Sequence, residues 1–304
     1  WETDLHAVGY GHVDWTDGYS PEVSVQRVIF ATYTGKQSAR LPLGPKPESI
    51  DLLAGIDSAA RRRTADGYIW RAIEGFTVPI PAAESNSGPI GVLVTGATGS
   101  LGGHLVAHLA RMKEVERIFC INRGGAEQPM ERQRRALTER SIILTADELD
   151  KLQAFSLEDG EALLALSSQQ YDTLKRNVTH IIHNAWPMNG AMSVSAFESQ
   201  FRMMRSLVDL ASKISSVHSA DDRIGFQFIS SIGTVGHRPL LTGEATVLEE
   251  HGTIDWALTN GYAEAKFVCE QILHRTLCQH PDRINAIVVR PGQIAGSSTS
   301  GYWN

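Results

Sequence analysis

No apolar run in this 304-residue chain approaches the roughly 18 residues that a membrane-crossing helix needs, so no span is expected. Cysteine is scarce. Cys120, Cys269 and Cys278 are the full set, too few for a disulfide framework and without metal-ligand spacing, which reads as reduced structural thiols in a cytoplasmic protein. A basic excess is also missing, and a net charge of −6 gives no support to a nucleic-acid partner. The eleven histidines supply one His-x-x-x-His pair, His104 and His108, with no acidic ligand beside it, so no metal site is expected. Internal repeats and low-complexity tracts are absent. What remains is 42% hydrophobic and 20% charged, an ordinary globular composition able to bury a substantial core.

The most informative stretch runs from Val92 to Gly102, where a buried-strand pattern breaks into Gly96, Gly99 and Gly102 and then opens a helix. Gly96 can take a tight turn, Gly99 lets the backbone approach phosphate, and Gly102 lets the helix pack closely on its strand. The helix N-terminus then faces the anion, which predicts a dinucleotide pyrophosphate cradle. Folds selective for NAD place an acid about 20 residues on, at the end of the second strand. None stands there: Arg117 to Ile121 runs into Asn122-Arg123-Gly124-Gly125. A guanidinium at that point favours a 2′-phosphate, hence NADPH, against the plainer reading of Arg123 as loop decoration.

Two further motifs follow. Tyr262-Ala263-Glu264-Ala265-Lys266 puts a phenol and an ammonium one helical turn apart, so that Lys266 can lower the pKa of Tyr262. Phe226 to Ser231 is an apolar strand ending in two hydroxyls, of which Ser231 could hydrogen-bond a substrate carbonyl.

In this order the motifs resemble the extended short-chain dehydrogenase/reductases, and more closely the thioester reductase domains that end polyketide synthases and nonribosomal peptide synthetases. Thr95 to Gly102, His183-Asn184-Ala185-Trp186-Pro187, Phe228 to Ser231, Tyr262 with Lys266, and Arg290-Pro291-Gly292 carry the resemblance, over about residues 88–304. It implies a catalytic triad of Ser231, Tyr262 and Lys266, with Ser230 as the fallback for a one-residue shift in register. It also implies NADPH contacts at Gly96, Thr98, Gly99, Leu101, Gly102, Arg123, Arg132, Asn184, Tyr262 and Lys266. For Arg132, a solvated basic face shared with Arg134, Arg135 and Arg140 is an equal alternative, and for Asn184 a structural strand-end role. Glu158 and Asp159 are the nearest matches to the family's adenine-contacting acid. Gln200 stands where the extended fold often has Asn, so no catalytic tetrad is named.

The implied fold is α/β, a Rossmann-type doubly wound parallel sheet. Strands are expected near 90–95, 117–121, 178–184, 224–230 and 284–290 with helices between them. Ser195-Ala196-Phe197-Glu198 fits a capping box opening the helix of Met203, Leu207 and Leu210. The family's substrate-binding part follows the Arg290 strand, so the chain is expected to stop before most of that subdomain. It opens at Trp1 without methionine, and we expect a piece of something longer.

Residues 1–34 read as two strands and a turn-rich loop and resemble the last hairpin of the C-methyltransferase domain of fungal non-reducing polyketide synthases, without a methyl-donor loop ahead of it. Proline and glycine punctuation marks 35–87 as an interdomain linker, and 88–304 as the NADP-binding reductase domain. Arg61-Arg62-Arg63 reads as a solvated helix end, with docking of an acidic carrier protein as the alternative. The expected activity is NADPH-dependent release of a polyketide, tethered to the phosphopantetheine of an acyl carrier protein, as an aldehyde or onward to an alcohol. The methyltransferase would then be a neighbour in cis. Two other readings stay open: a nucleotide-sugar epimerase or reductase of the same fold, and a non-catalytic NADP-binding scaffold.

Overall fold

Alternating apolar strands and amphipathic helices here build one six-stranded parallel sheet. The structure is a computed structural model that describes residues 10–15, 29–33, 53–79, 89–157, 166–218, 222–244 and 246–294. Two compact units are present, Trp1–Asp57 and Ser58–Asn304. In the first, strands β1 (Tyr10–Trp15) and β2 (Ile29–Tyr33) pair antiparallel, as the two-strand reading of residues 1–34 expects.

The second unit carries β3 (Ile90–Thr95), β4 (Val115–Arg123), β5 (Leu152–Leu157), β6 (His180–His183), β7 (Ile224–Ile229) and β8 (Ile284–Val289). Their spatial order is β5-β4-β3-β6-β7-β8, every pair parallel. That is the doubly wound order, with its switch point between β3 and β6, where such sheets bind ligands at the carboxyl ends of the strands. Five strands fall where the sequence predicts them. The sixth, β5, is an edge strand whose Leu-Gln-Ala-Phe-Ser-Leu sequence alternates only weakly between apolar and polar residues. Glu158 and Asp159, just after it, lie outside the described residues.

One face of the sheet is buried across its width; the other is covered over β5-β4-β3, while on β8 Ile287 is 47% exposed. On one face Leu93, Phe119, Ile181, Phe226 and Phe228 pack against helices α5 (Ser168–Asn177), α6 (Glu198–Ser215) and α8 (Gly261–Arg275). On the other, Val92, Val94, Ile118 and Cys120 meet α2 (Ser100–Arg111) and α3 (Pro129–Glu139). Short helices α4 (Ala146–Asp150) and α7 (Arg238–Thr242) complete the unit.

Two local expectations are corrected. Ser195 does not cap a helix: a 3-10 turn, Val194–Phe197, precedes α6, so Ser195 lies inside that turn and its hydroxyl meets Ser193 at 2.9 Å. The stretch 35–87 also holds more than a connector. Helix α1 (Ser58–Ile73) buries Ala65 and Ile69 in the same core as the sheet and packs on α8 and α6.

Candidate active site

The glycine turn between β3 and α2 is shaped by close backbone approaches. Gly96 has φ +67°, and a Cβ on it would sit 2.8 Å from the Cα of Ala185, so only glycine fits. A Cβ on Gly102 would lie 2.0 Å from the carbonyl oxygen of Gly96, which fixes how tightly α2 stacks on the turn. No side chain caps α2 at Gly99, leaving its first-turn N–H groups to an external acceptor such as a phosphate. Thr98 turns inward: its N–H and hydroxyl donate to Oδ1 of Asn122 at 3.1 and 3.2 Å. Asn122 Nδ2 in turn donates to Gln133 Oε1 at 3.1 Å, and Gln133 Nε2 to the carbonyl of Ala97 at 3.2 Å. This buried amide pair braces the turn, and the sequence reading gave neither residue a role.

At the end of β4, Arg123 is exposed. Arg132, on the first turn of α3, donates through Nη1 to the carbonyl of Arg123 and, at 3.3 Å, to that of Gly124. The structure therefore brings both arginines to one loop beside the glycine turn. Arg135, by contrast, is occupied by Glu127 and Glu139 at 2.7 and 2.9 Å.

At the end of β6, the hydroxyl oxygen of Thr95 accepts the N–H groups of Asn184 and Ala185 at 3.1 and 3.0 Å. With both lone pairs used, its proton goes to Nδ1 of His183 at 2.8 Å, which places the histidine proton on Nε2. Burial, with Lys266 nearby, pulls the pKa of His183 down to about 3, so the ring is neutral. Asn184 Nδ2 donates to the carbonyl of Gly96 at 3.3 Å. Its side chain thus holds the glycine turn, the structural alternative left open by the sequence.

Helix α8 is capped by Asn260, whose Oδ1 accepts Ala263 N–H at 2.8 Å, and it carries Tyr262 and Lys266 one turn apart. Ser231 follows β7 and sets its hydroxyl beside the phenol of Tyr262. Its Oγ also accepts the N–H of Gly233 at 3.0 Å, opening a 3-10 turn, Ile232–Val235. Ser230 points elsewhere: it is 2% exposed and donates to Glu270 Oε1 at 2.5 Å. Glu270 further accepts from Thr234 at 2.9 Å and from Arg290 at 2.7 Å. This network, absent from the sequence reading apart from Arg290, consumes Ser230 and leaves Ser231 as the serine facing Tyr262.

Lys266 is 2% exposed, donates from Nζ to the carbonyl of Ile229 at 2.6 Å, and stands 4.0 Å from the ring centre of Trp186 and 4.8 Å from that of Phe228. Burial draws its pKa down to about 7. The expected lowering of Tyr262 by Lys266 is corrected by the geometry. Burial raises the phenol above its ordinary value, and the nearby Ser231 hydroxyl acts against that rise. Trp186 fills the space beside both, lying against Phe197 at 5.6 Å and edge-on to Tyr262 at 6.3 Å between ring centres. Phenol, hydroxyl and ammonium thus converge near the switch point of the sheet, beside a glycine turn that a dinucleotide phosphate fits. Among the described residues no cluster of His, Cys, Asp or Glu could hold a metal, and no helix is long and apolar enough to cross a membrane.

A family model described as male sterility protein, of NAD-binding type, matches residues 94–304. The non-reducing polyketide synthase pks11 of Talaromyces marneffei is 45% identical over 308 residues, and azaA of Aspergillus niger is 47% identical over 312. Each covers all of this chain, which spans 12% of the length of these relatives. Among solved structures, the terminal R domain of the myxalamid PKS-NRPS pathway superposes with TM-score 0.61 at 22% identity, over 80% of this chain and 58% of that one. The PhqB reductase domain from Penicillium fellutanum superposes with TM-score 0.55 at 18% identity, over 80% and 56%. These likenesses show the fold.

Proposed function

The chain belongs to the NAD-binding male sterility family of extended short-chain dehydrogenase/reductases, and on that premise we propose that it reductively releases a carrier-bound polyketide thioester. The observation that carries this reading is the meeting of Ser231 and Tyr262 beside Lys266, next to the glycine turn. Its relatives pks11 and azaA are polyketide synthases, which points to an acyl group on the phosphopantetheine arm of a carrier protein in cis. The methyltransferase-like segment at 1–34 is the other neighbour we assign in cis, and the three unpaired cysteines favour a cytoplasmic setting.

Gly96, Gly99, Leu101 and Gly102 would hold the cofactor pyrophosphate at the start of α2, with Thr98 supporting the turn through Asn122. Arg123 and Arg132 would grip the 2′-phosphate, which favours NADPH over NADH. Asn184 would border the nicotinamide end. When bound, NADPH supplies the hydride that adds to the thioester carbonyl carbon.

The chain's own residues manage charge and proton. As the carbonyl π pair moves onto oxygen, Ser231 and Tyr262 donate hydrogen bonds to it, and Tyr262 delivers the proton. The resulting hemithioacetal breaks its C–S bond; its hydroxyl proton leaves and the sulfur gains one, giving an aldehyde and a free thiol. Lys266, in its ammonium form, would place a positive charge beside the phenol and orient the nicotinamide ribose. A second hydride would carry the aldehyde to an alcohol.

The test is a substrate panel. Acyl pantetheine thioesters should drive NADPH oxidation with aldehyde and thiol appearing in equal amounts. Turnover of nucleotide sugars with thioesters inert would move the assignment to the epimerase or sugar-reductase class, and saturable NADPH binding with neither substrate turned over would favour the scaffold reading.

A further inference from the structure

Arg61 lies on α1, ahead of the residues that the family model matches, yet it is bonded to the Tyr262 arm of the candidate active site and linked through Leu258 to the Ser231 arm. Its Nε donates to Glu264 Oε1 at 2.7 Å, and Glu264 sits between Tyr262 and Lys266 on α8. Its Nη2 donates to the carbonyls of Ala257 and Leu258 at 2.7 and 3.3 Å, in the chain that leads to the Asn260 cap. The N–H of Leu258 donates to the carbonyl of Gly233 at 2.9 Å, and the N–H of Gly233 donates to Oγ of Ser231. One guanidinium therefore touches the first turn of the Tyr262 helix directly and reaches the Ser231 turn through one backbone bond, Leu258 to Gly233, and the bond from Gly233 N–H to Ser231 Oγ.

The environment suits orientation better than mere charge. The Arg61 side chain is 11% exposed and that of Glu264 is 18% exposed, so water competes little for the fork. A planar guanidinium can serve a carboxylate and two carbonyls in fixed directions, which an ammonium cannot. Neighbouring Arg62 pairs with Asp255 at 2.6 Å but is 62% exposed, a solvated side chain near the start of α1 rather than at the end of a helix over 50–63. The triple-arginine run is thus not one feature. Arg61 is spent inside the fold, and the sequence reading of the run as solvated is corrected for that residue.

We propose that Arg61 is a positioning residue that sets the approach of Ser231 to Tyr262, so that the catalytic unit begins at α1. This deepens the function proposed above and rests on it.

The experiment uses the full chain with Arg61→Gln, Arg61→Lys, Arg62→Gln and Tyr262→Phe, reading kcat and KM for an acyl pantetheine thioester together with backbone amide exchange. Arg61→Gln should lower kcat about tenfold with KM within a factor of about three, a loss confined to the transition state. Exchange should quicken at Gly233, Leu258, Ala263 and Glu264 while Leu93 and Val94 in β3 keep their protection. Arg61→Lys should fall between wild type and Arg61→Gln, and Arg62→Gln should match wild type. Unchanged kcat in Arg61→Gln alongside an inactive Tyr262→Phe would overturn the proposal. So would acceleration of exchange that is uniform through β3, since that is loss of stability alone. Full activity in Tyr262→Phe would instead sink the functional reading, with the exchange pattern still deciding whether Arg61 orders the two arms.

Discussion

The hydroxyl of Ser231, just past the end of β7, faces the phenol of Tyr262 on the first turn of α8. The adjacent serine is turned the other way, onto a buried carboxylate. Two neighbouring hydroxyls therefore have different work, and substitution should separate them. Ser231→Ala should lower kcat about 100-fold with unfolding free energy changed by less than about 1 kcal/mol. Ser230→Ala removes a donor from buried Glu270 and should cost about 1–3 kcal/mol of stability in a denaturant titration. Equal kinetic losses from both, at equal stability, would contradict this division.

Gly102→Ala should fold poorly and bind NADPH weakly. Its new Cβ would lie 2.0 Å from the carbonyl of Gly96, and a clash with backbone of this kind costs about 1–3 kcal/mol or more. Gly67→Ala is the counterpart: Gly67 is exposed inside α1 with nothing near its would-be Cβ, so alanine should stabilise by about 0.5–1 kcal/mol. Thermal melting of both variants checks the pair.

Arg123→Ser should reduce the preference for NADPH over NADH by about 10–100-fold in kcat/KM, which corresponds to about 1.4–2.8 kcal/mol of 2′-phosphate binding. The loss should fall on NADPH, with NADH nearly untouched. An equal effect on both cofactors would place Arg123 outside the 2′-phosphate site.

The pKa of Lys266, about 7, implies a pH dependence with a definite sign. If the ammonium is the working form, kcat/KM should fall as pH rises through about 7, because that profile reports the free enzyme. Lys266→Arg, which does not deprotonate, should lack that limb even if slower overall. Stability moves the opposite way: between about 7 and 10.5 the unfolded chain holds the proton that the folded chain has shed, so stability rises with pH across that window. Lys266→Met should flatten this slope in urea titrations at pH 7 to 9.

Much of this was legible in the sequence, and the omissions have physical causes. Gly96 and Gly102 announce themselves because a tight turn and a close helix leave no room for a side chain, and Tyr262 with Lys266 because helical spacing is regular. Strand β5 did not, since as an edge strand it alternates too weakly to be told from a loop. Asn122 with Gln133, and Glu270 with Arg290, are polar pairs 11 and 20 residues apart on different elements, so no periodicity within one element marks them. Arg61 is the clearest case: its run of three arginines looks solvated until Glu264 and the carbonyls of Ala257 and Leu258 are brought to it. The direction of the Tyr262 shift was missed for the same reason, because burial between Trp186 and Phe197 is a property of the packed core.

The central claim is that Tyr262 donates the proton in thioester reduction. The most direct test follows NADPH oxidation and aldehyde release from an acyl pantetheine thioester in wild type and Tyr262→Phe, with NADPH binding measured on both. The account predicts that Tyr262→Phe binds NADPH within a factor of about three of wild type and loses at least about 100-fold in kcat. Turnover by Tyr262→Phe at the wild-type rate would contradict it.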